Sequence, residues 1–206
     1  MVQNIEKPET KRRGRPRAYD PEVALQQVTD AFWTSGYAGT SLDDISAATG
    51  MNRPSLSAAF GDKHALYLKA LGAYWDAKFA TMREALQGGT LEEALMRVYD
   101  ASLSLYFSGE GDARGCFVIG TAVTEAADDP EIRRVVMAGF QTLDAHFEAR
   151  FRSAHEAGEL RKDADPEALA LLASATMHTI AVRARSGTPR DELRQLAQKA
   201  VKLICG

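Results

Sequence analysis

Residues 11–17 read Lys11-Arg12-Arg13-Gly14-Arg15-Pro16-Arg17, five positive charges with no negative one among them. In Arg13-Gly14-Arg15-Pro16 two guanidinium groups flank a glycine, and the proline keeps the backbone extended. That form suits a narrow A·T-rich minor groove, whose negative potential draws arginine. The plain alternative is a solvated tail. Other reactive side chains are poorly placed for chemistry. Cys116 and Cys205 are 89 positions apart, and His64, His146, His155 and His178 contain no i,i+4 pair, so no zinc-ligand spacing arises. Gly109-Glu110-Gly111 follows no strand and lacks a third glycine, so it is not a phosphate-binding loop. No nucleophile elbow supports a Ser-His-Asp triad. The sequence predicts no enzyme, no metal and no cofactor. Cys116, near a helix start, has two readings: a thiol of lowered pKa that senses oxidants, or an inert buried side chain.

Composition bounds the rest. A chain of 206 residues with 45% hydrophobic and 26% charged side chains is ordinary for a globular protein of one domain or two small ones. No apolar run reaches the roughly 18 residues of a membrane span, and no signal core follows Met1. With only two cysteines, a disulfide framework is excluded and a reduced cytoplasmic location is expected. The net charge of −3 argues against a polyanionic partner until it is divided along the chain. Residues 1–70 carry 9 basic and 8 acidic side chains, whereas residues 71–206 carry 16 and 20. A basic arm, whose Arg13–Pro16 core also resembles an AT-hook, is thus attached to an acidic body.

The elements that must carry these groups are helical. Asp20-Pro21-Glu22, Asp129-Pro130-Glu131 and Asp165-Pro166-Glu167 each supply an N-cap oxygen, a proline in the first turn and an acid at the positive end of the dipole. Thr188-Pro189 before Asp191 and Glu192 is a close variant, and Thr90-Leu91-Glu92-Glu93 is a capping box. Apolar stripes of helical period follow: Leu68, Leu71, Trp75, Ala77/Lys78/Phe79, Met82 and Leu86; Ile132 to Phe151; Leu193 to Ile204. No stretch alternates with period two. The pattern predicts an all-α chain of about nine helices near 21–36, 41–48, 53–60, 63–87, 90–107, 115–127, 130–157, 166–186 and 189–204.

Residues 40–60 contain two short helices joined by a turn at Gly50. Thr40 and Ser41 are spaced to Asp43 and Asp44, Leu42, Ile45 and Ala48 face inward, and Asn52-Arg53-Pro54-Ser55 opens the second helix. This fits a DNA-binding helix-turn-helix, with an ordinary helical corner as the alternative. From Ala24 to about Leu71 the chain resembles the TetR family of bacterial transcription regulators. The resemblance rests on Ala31-Phe32-Trp33, Gly36-Tyr37, Thr40-Ser41-Leu42-Asp43-Asp44-Ile45, Ala48, Gly50, Ser55-Leu56, Phe60-Gly61-Asp62-Lys63 and His64-Ala65-Leu66. Gly115-Cys116-Phe117 looks like one branch of that family. Three positions depart from the family pattern, two of them, Ser57 and Ala59, where aromatic side chains are common. A frequent glycine is replaced by Pro54.

The basic arm spans 1–18, and the resemblance implies a helix-turn-helix head at 19–66 and an effector-binding and dimerisation body at 67–206. It places residues 53–60 in the major groove. There Arg53 would reach a guanine edge, while Asn52, Ser55 and Ser57 contact bases or phosphates. Thr40 and Ser41 would hold a phosphate at a helix N-terminus, and Lys63 would contact another. Arg12, Arg13, Arg15 and Arg17 would enter the minor groove and offset the missing aromatics. The expected protein is a regulator, more often a repressor, that binds a palindromic operator as a homodimer and is released by a small-molecule effector. Candidate effector contacts are Tyr74, Phe79, Met82, Tyr99, Leu103, Phe107, Cys116, Phe117, Thr121, Phe140 and Phe147, each of which also reads as simple core. Candidate dimer contacts are Leu171, Ala175, His178 and Val182 with Leu193, Leu196, Ala197, Ala200, Val201 and Ile204. Alternatively these faces pack only within one protomer. The rival function is an all-α ligand-binding or protein-interaction module whose corner is structural.

Overall fold

The computed structural model describes residues 19–109 and 113–206. Among the described residues there are nine α-helices, one π-helical turn and no strand. The basic arm with Arg12, Arg13, Arg15 and Arg17 lies outside them, as do Glu110 and Gly111.

The head forms first. Helix α1 (Pro21–Gly39) starts where the Asp20 carboxylate accepts from the amides of Glu22 and Val23, with Pro21 preset in the first turn. Helix α2 (Leu42–Thr49) is opened by a complete Ser41–Asp44 capping box and ends at Gly50, whose φ of 65° is open to glycine at no steric cost. Helix α3 (Arg53–Phe60) is capped by Asn52, whose Oδ1 accepts from the Ser55 amide at 2.9 Å. The long α4 (Lys63–Ala85) begins in the head, capped by Asp62, and runs the depth of the body.

The body continues with α5 (Leu91–Tyr106), the π-helical turn Val118–Ala122 leading into α6 (Val123–Glu125), α7 (Pro130–Glu156), α8 (Pro166–Arg185) and α9 (Arg190–Cys205). Two local expectations are corrected. The single helix expected over 115–127 is a wide π turn followed by one α turn. There the Thr121 hydroxyl donates back to the Phe117 carbonyl at 2.8 Å and accepts from the Tyr67 hydroxyl at 2.7 Å. At α9 the helix starts one residue later than the Thr188-Pro189 pattern implies. Pro189 itself holds the N-cap position, so no side chain caps that end.

Head and body share one core. Aromatic contacts cross between them: Phe32 on Tyr67 at 5.0 Å and Trp33 on Tyr74 at 5.2 Å, both edge-on, and Trp33 on Phe117 at 5.7 Å. All five rings are essentially buried. A displacement inside the body therefore reaches α1 through packed side chains rather than through a flexible linker. No helix among the described residues is long and apolar enough to cross a membrane.

Candidate nucleic-acid interface and ligand cavity

Asn52, Arg53, Ser57 and Ala58 are exposed on α3, while Leu56 and Phe60 anchor the opposite face of that helix in the core. Arg53 is held from its side. Its Nε donates to Asp43 Oδ1 at 2.7 Å and its Nη2 to Asp43 Oδ2 at 2.5 Å. A guanidinium has five N–H donors, so this pairing leaves both donors of Nη1 and one of Nη2 on the outer edge. That edge is unpaired among the described residues, and Asp43 on α2 fixes its direction. The Asp43 pairing also keeps the Arg53 guanidinium firmly charged, raising its pKa through hydrogen bonding first and charge second.

The remaining head candidates are placed differently from one another. Thr40 is buried, and its hydroxyl donates to the Gly36 carbonyl at 2.7 Å, so it braces the end of α1. Ser41 is exposed, but its hydroxyl and amide both donate to Asp44 Oδ2, at 2.6 and 2.8 Å, which holds that carboxyl below its usual pKa range. With those donors committed, and the acids Asp43 and Asp44 in the first turn, α2 offers a phosphate less than its N-terminus suggests. Ser55 is half-buried, and its amide is used by Asn52. The Lys63 ammonium rests 4.4 Å above the Tyr37 ring at the start of α4.

A cavity of about 470 Å³ lies between α1, α4 and α5, within the usual range for small-molecule sites. Leu25, Thr29 and Trp33 of α1, Tyr74, Lys78 and Met82 of α4, Val98, Ser102 and Leu105 of α5, and Met177 of α8 line it. The exposed Glu22, Gln26, Ala77 and Thr81 mark its open side. Of the eleven expected effector contacts, Tyr74 and Met82 are brought to this cavity. Cys116 lies one contact behind, accepting the Tyr74 hydroxyl at 3.2 Å. Phe117 belongs to the aromatic junction and Thr121 to the π turn. Tyr99 donates to the Ala173 carbonyl at 3.0 Å, and Leu103 is fully buried beside it on α5. Phe107 ends α5; Phe79 and Phe140 pack on Trp75; Phe147 is fully buried in α7. Periodicity marks which residues point inward, but neighbouring aromatics fill most inward space. The α1 wall and Lys78 were missed. The available signal was a lysine in phase with the apolar stripe Leu71, Trp75 and Met82.

The two last helices divide their candidates by burial. Leu193, Ala197, Val201 and Ile204 are buried against α5 and α8 within the protomer, so the strongest apolar stripe of α9 is consumed internally. Outside remain Leu171, Ala175 and Val182 on α8, with His178 half-buried against Phe140 at 4.9 Å. Leu196 and Ala200 are partly exposed on α9, and Leu203, which the sequence reading left out, is 86% exposed.

A three-helix head that presents a polar helix from an all-helical body is the architecture of a helix-turn-helix transcription regulator. The chain belongs to the TetR family of bacterial regulatory proteins: the model for that family's DNA-binding region matches residues 29–70, and a tetracyclin repressor-like C-terminal domain model matches residues 92–201. It is 29% identical over 196 residues to the HTH-type transcriptional repressor ComR of Escherichia coli, covering 94% of this chain and 92% of the relative. A cysteine-substituted TetR family transcriptional regulator CifR, solved with 26-base-pair operator DNA, superposes with a TM-score of 0.83 at 31% identity, covering 92% of this chain and 98% of that one. A TetR transcriptional regulator from Chloroflexus aurantiacus superposes with a TM-score of 0.78 at 26% identity, over 89% and 93% of the two chains. The protein is a DNA-binding transcription regulator and not an enzyme.

Proposed function

We propose that the protein is a repressor that binds a two-fold operator as a homodimer in the cytoplasm and leaves it when a small molecule occupies the α1–α4–α5 cavity. The observation that carries this reading is the exposed edge of Arg53, aimed outward from α3 by Asp43. The operator-bound CifR structure supports it by likeness of fold. The DNA-binding unit is residues 19–66 with the arm at 1–18, and the body is 67–206. A gel shift with the DNA flanking its own gene tests the reading, with Arg53→Ala as control. Absence of any specific shifted complex would leave the rival, a ligand-binding module without DNA.

Two further expectations belong here. Each phosphate contacted contributes a slope of about −0.9 to log K against log[salt]. Deleting residues 1–17 removes six positive charges, so the operator salt slope should become shallower by about two to four for the dimer. An unchanged slope means that the arm contacts no phosphate. The dimer face proposed is the exposed stripe of Leu171, Ala175, His178 and Val182 with Leu196, Ala200 and Leu203. The double substitution Val182→Glu and Leu203→Glu should give a monomer in sedimentation velocity at micromolar concentration while preserving the helical circular dichroism. A dimer that survives it places the interface elsewhere.

The lever is α4. Its start is tied to the body by His64 Nε2, 2.7 Å from Asp129 Oδ2 at the N-cap of α7, and its middle lines the cavity. The ligand must bind the DNA-incompetent arrangement better than the competent one, or it shifts nothing.

A further inference from the structure

We propose that the cavity between α1, α4 and α5 is built for an apolar monocarboxylate whose acid group pairs with Lys78. This rests on the effector-responsive reading above and adds the chemical class of the effector.

Lys78 is the group that sets the class. It sits on the buried face of α4, in phase with Trp75 and Met82, with only 8% of its surface exposed, and it lines the cavity. Among the described residues it has no hydrogen bond and no ion pair; the Tyr106 ring lies 5.6 Å from Nζ, and the Cys116 thiol is the acidic group near enough to act on it. A buried ammonium without a counter-charge is costly, and burial accordingly pushes its pKa down. An anion entering the cavity supplies the missing partner in a water-poor site, where a charge-assisted hydrogen bond is strong.

The remaining lining limits the anion to one charge and a hydrophobic remainder. Leu25, Trp33, Met82, Val98, Leu105 and Met177 offer apolar surface only. The Thr29 hydroxyl is spent on the Leu25 carbonyl at 2.8 Å, and the Tyr74 hydroxyl on Cys116. The other charged lining residue, Glu22, is exposed on the open side and would repel a second negative charge there. Gln26, Thr81 and Ser102 are polar but neutral, so a phosphate or dicarboxylate would carry a second charge that no cation of the lining answers. A monocarboxylate with an aliphatic chain or an aromatic ring leaves neither charge unpaired.

Occupancy has a direct route to the head. Trp33 lines the cavity from α1, and its ring is covered by the Arg114 guanidinium at 4.3 Å. Arg114 in turn pairs with Asp30 of α1 at 2.6 Å. A ligand that displaces Trp33 disturbs a clamp between the body and the helix that carries the helix-turn-helix.

The test compares octanoate with octanamide and phenylacetate with phenylacetamide, pairs alike in shape and different in charge. Binding to the full chain without DNA is followed by the intrinsic fluorescence of Trp33 and Trp75, with melting temperature as a second readout. The expected result is that at least one acid binds at millimolar concentration or below and its amide binds about tenfold or more weakly. In Lys78→Met, a substitution of similar length, that ratio should fall to about one. Three results overturn the proposal: neither acid binds, the amide binds as well as its acid, or the preference survives in Lys78→Met. The head-group comparison uses the unaltered protein, so it stands even where the variant fails to fold. A gel shift on the same preparation separates the two readings. Operator binding without acid preference removes this proposal alone, whereas loss of operator binding removes the regulator reading.

Discussion

Arg53→Ala should weaken specific operator binding by roughly 30-fold to 20,000-fold, because under the proposed dimeric reading one bidentate guanine contact is lost in each of two half-sites. The loss should be confined to sequence discrimination. With Arg53 on a base, as proposed, the salt slope should stay nearly constant while operators altered at the contacted G·C pair bind the variant as well as the native operator does. Asp43→Ala separates orientation from charge. Under the same proposal it removes a carboxylate close to the DNA, which should raise non-specific affinity. It also frees the guanidinium that Asp43 grips through Nε and Nη2, which lowers specific affinity relative to non-specific. A variant that gains equally on both kinds of DNA would show that Asp43 merely competes with the operator. An Arg53→Ala protein with undiminished discrimination would place the reading side chain elsewhere on α3.

The parts of this molecule that were legible in its sequence are those set by local chemistry. Asp20, Ser41, Asn52, Thr90, Asp129 and Asp165 each fill an N-cap and accept the amides their positions imply. Leu56 and Phe60 fix which face of α3 is buried, and hence that Arg53 is outside. Long-range competition was not legible. The stripe of Leu193, Ala197 and Val201 has the spacing of an interface, yet α5 and α8 cover it within the chain. Thr40 has the position of a phosphate ligand, but Gly36 turns the chain so that its carbonyl accepts the hydroxyl's hydrogen bond. The aromatic side chains chosen as cavity contacts are largely what fills the space between helices. The cavity lies where α1 passes over Lys78, and a lysine on an apolar stripe ordinarily reads as an error in phase. Its meaning depends on which element crosses it, and that is decided by the whole fold.

The α4–α7 contact offers the largest expected effect on stability. Gly139→Ala places a Cβ 2.1 Å from Cε2 and 2.3 Å from Cζ2 of Trp75, far inside ordinary contact. The indole has little room to retreat. It is 4% exposed, stacked on Phe79 at 5.1 Å with 14° between the planes, and met edge-on by Phe140 at 5.9 Å. Alanine gains about 1 kcal/mol over glycine in helix propensity, against overpacking of about 1–3 kcal/mol or more in a filled core. The clash involves a rigid ring in contact with other rings, so the overpacking side wins, by about 1–2 kcal/mol. At about 2–4 °C per kcal/mol for a chain of this size, the melting temperature should fall by about 2–8 °C. Trp75→Leu in the same chain should make Gly139→Ala nearly harmless, a coupling that distant sites do not show. An unchanged melting point for Gly139→Ala alone would mean that α7 can slide away from α4 at no cost. In that case α4 has no fixed pivot against the body. A ligand in the cavity could then move the middle of α4 without turning its first residues, and the helix could not serve as the lever to the head.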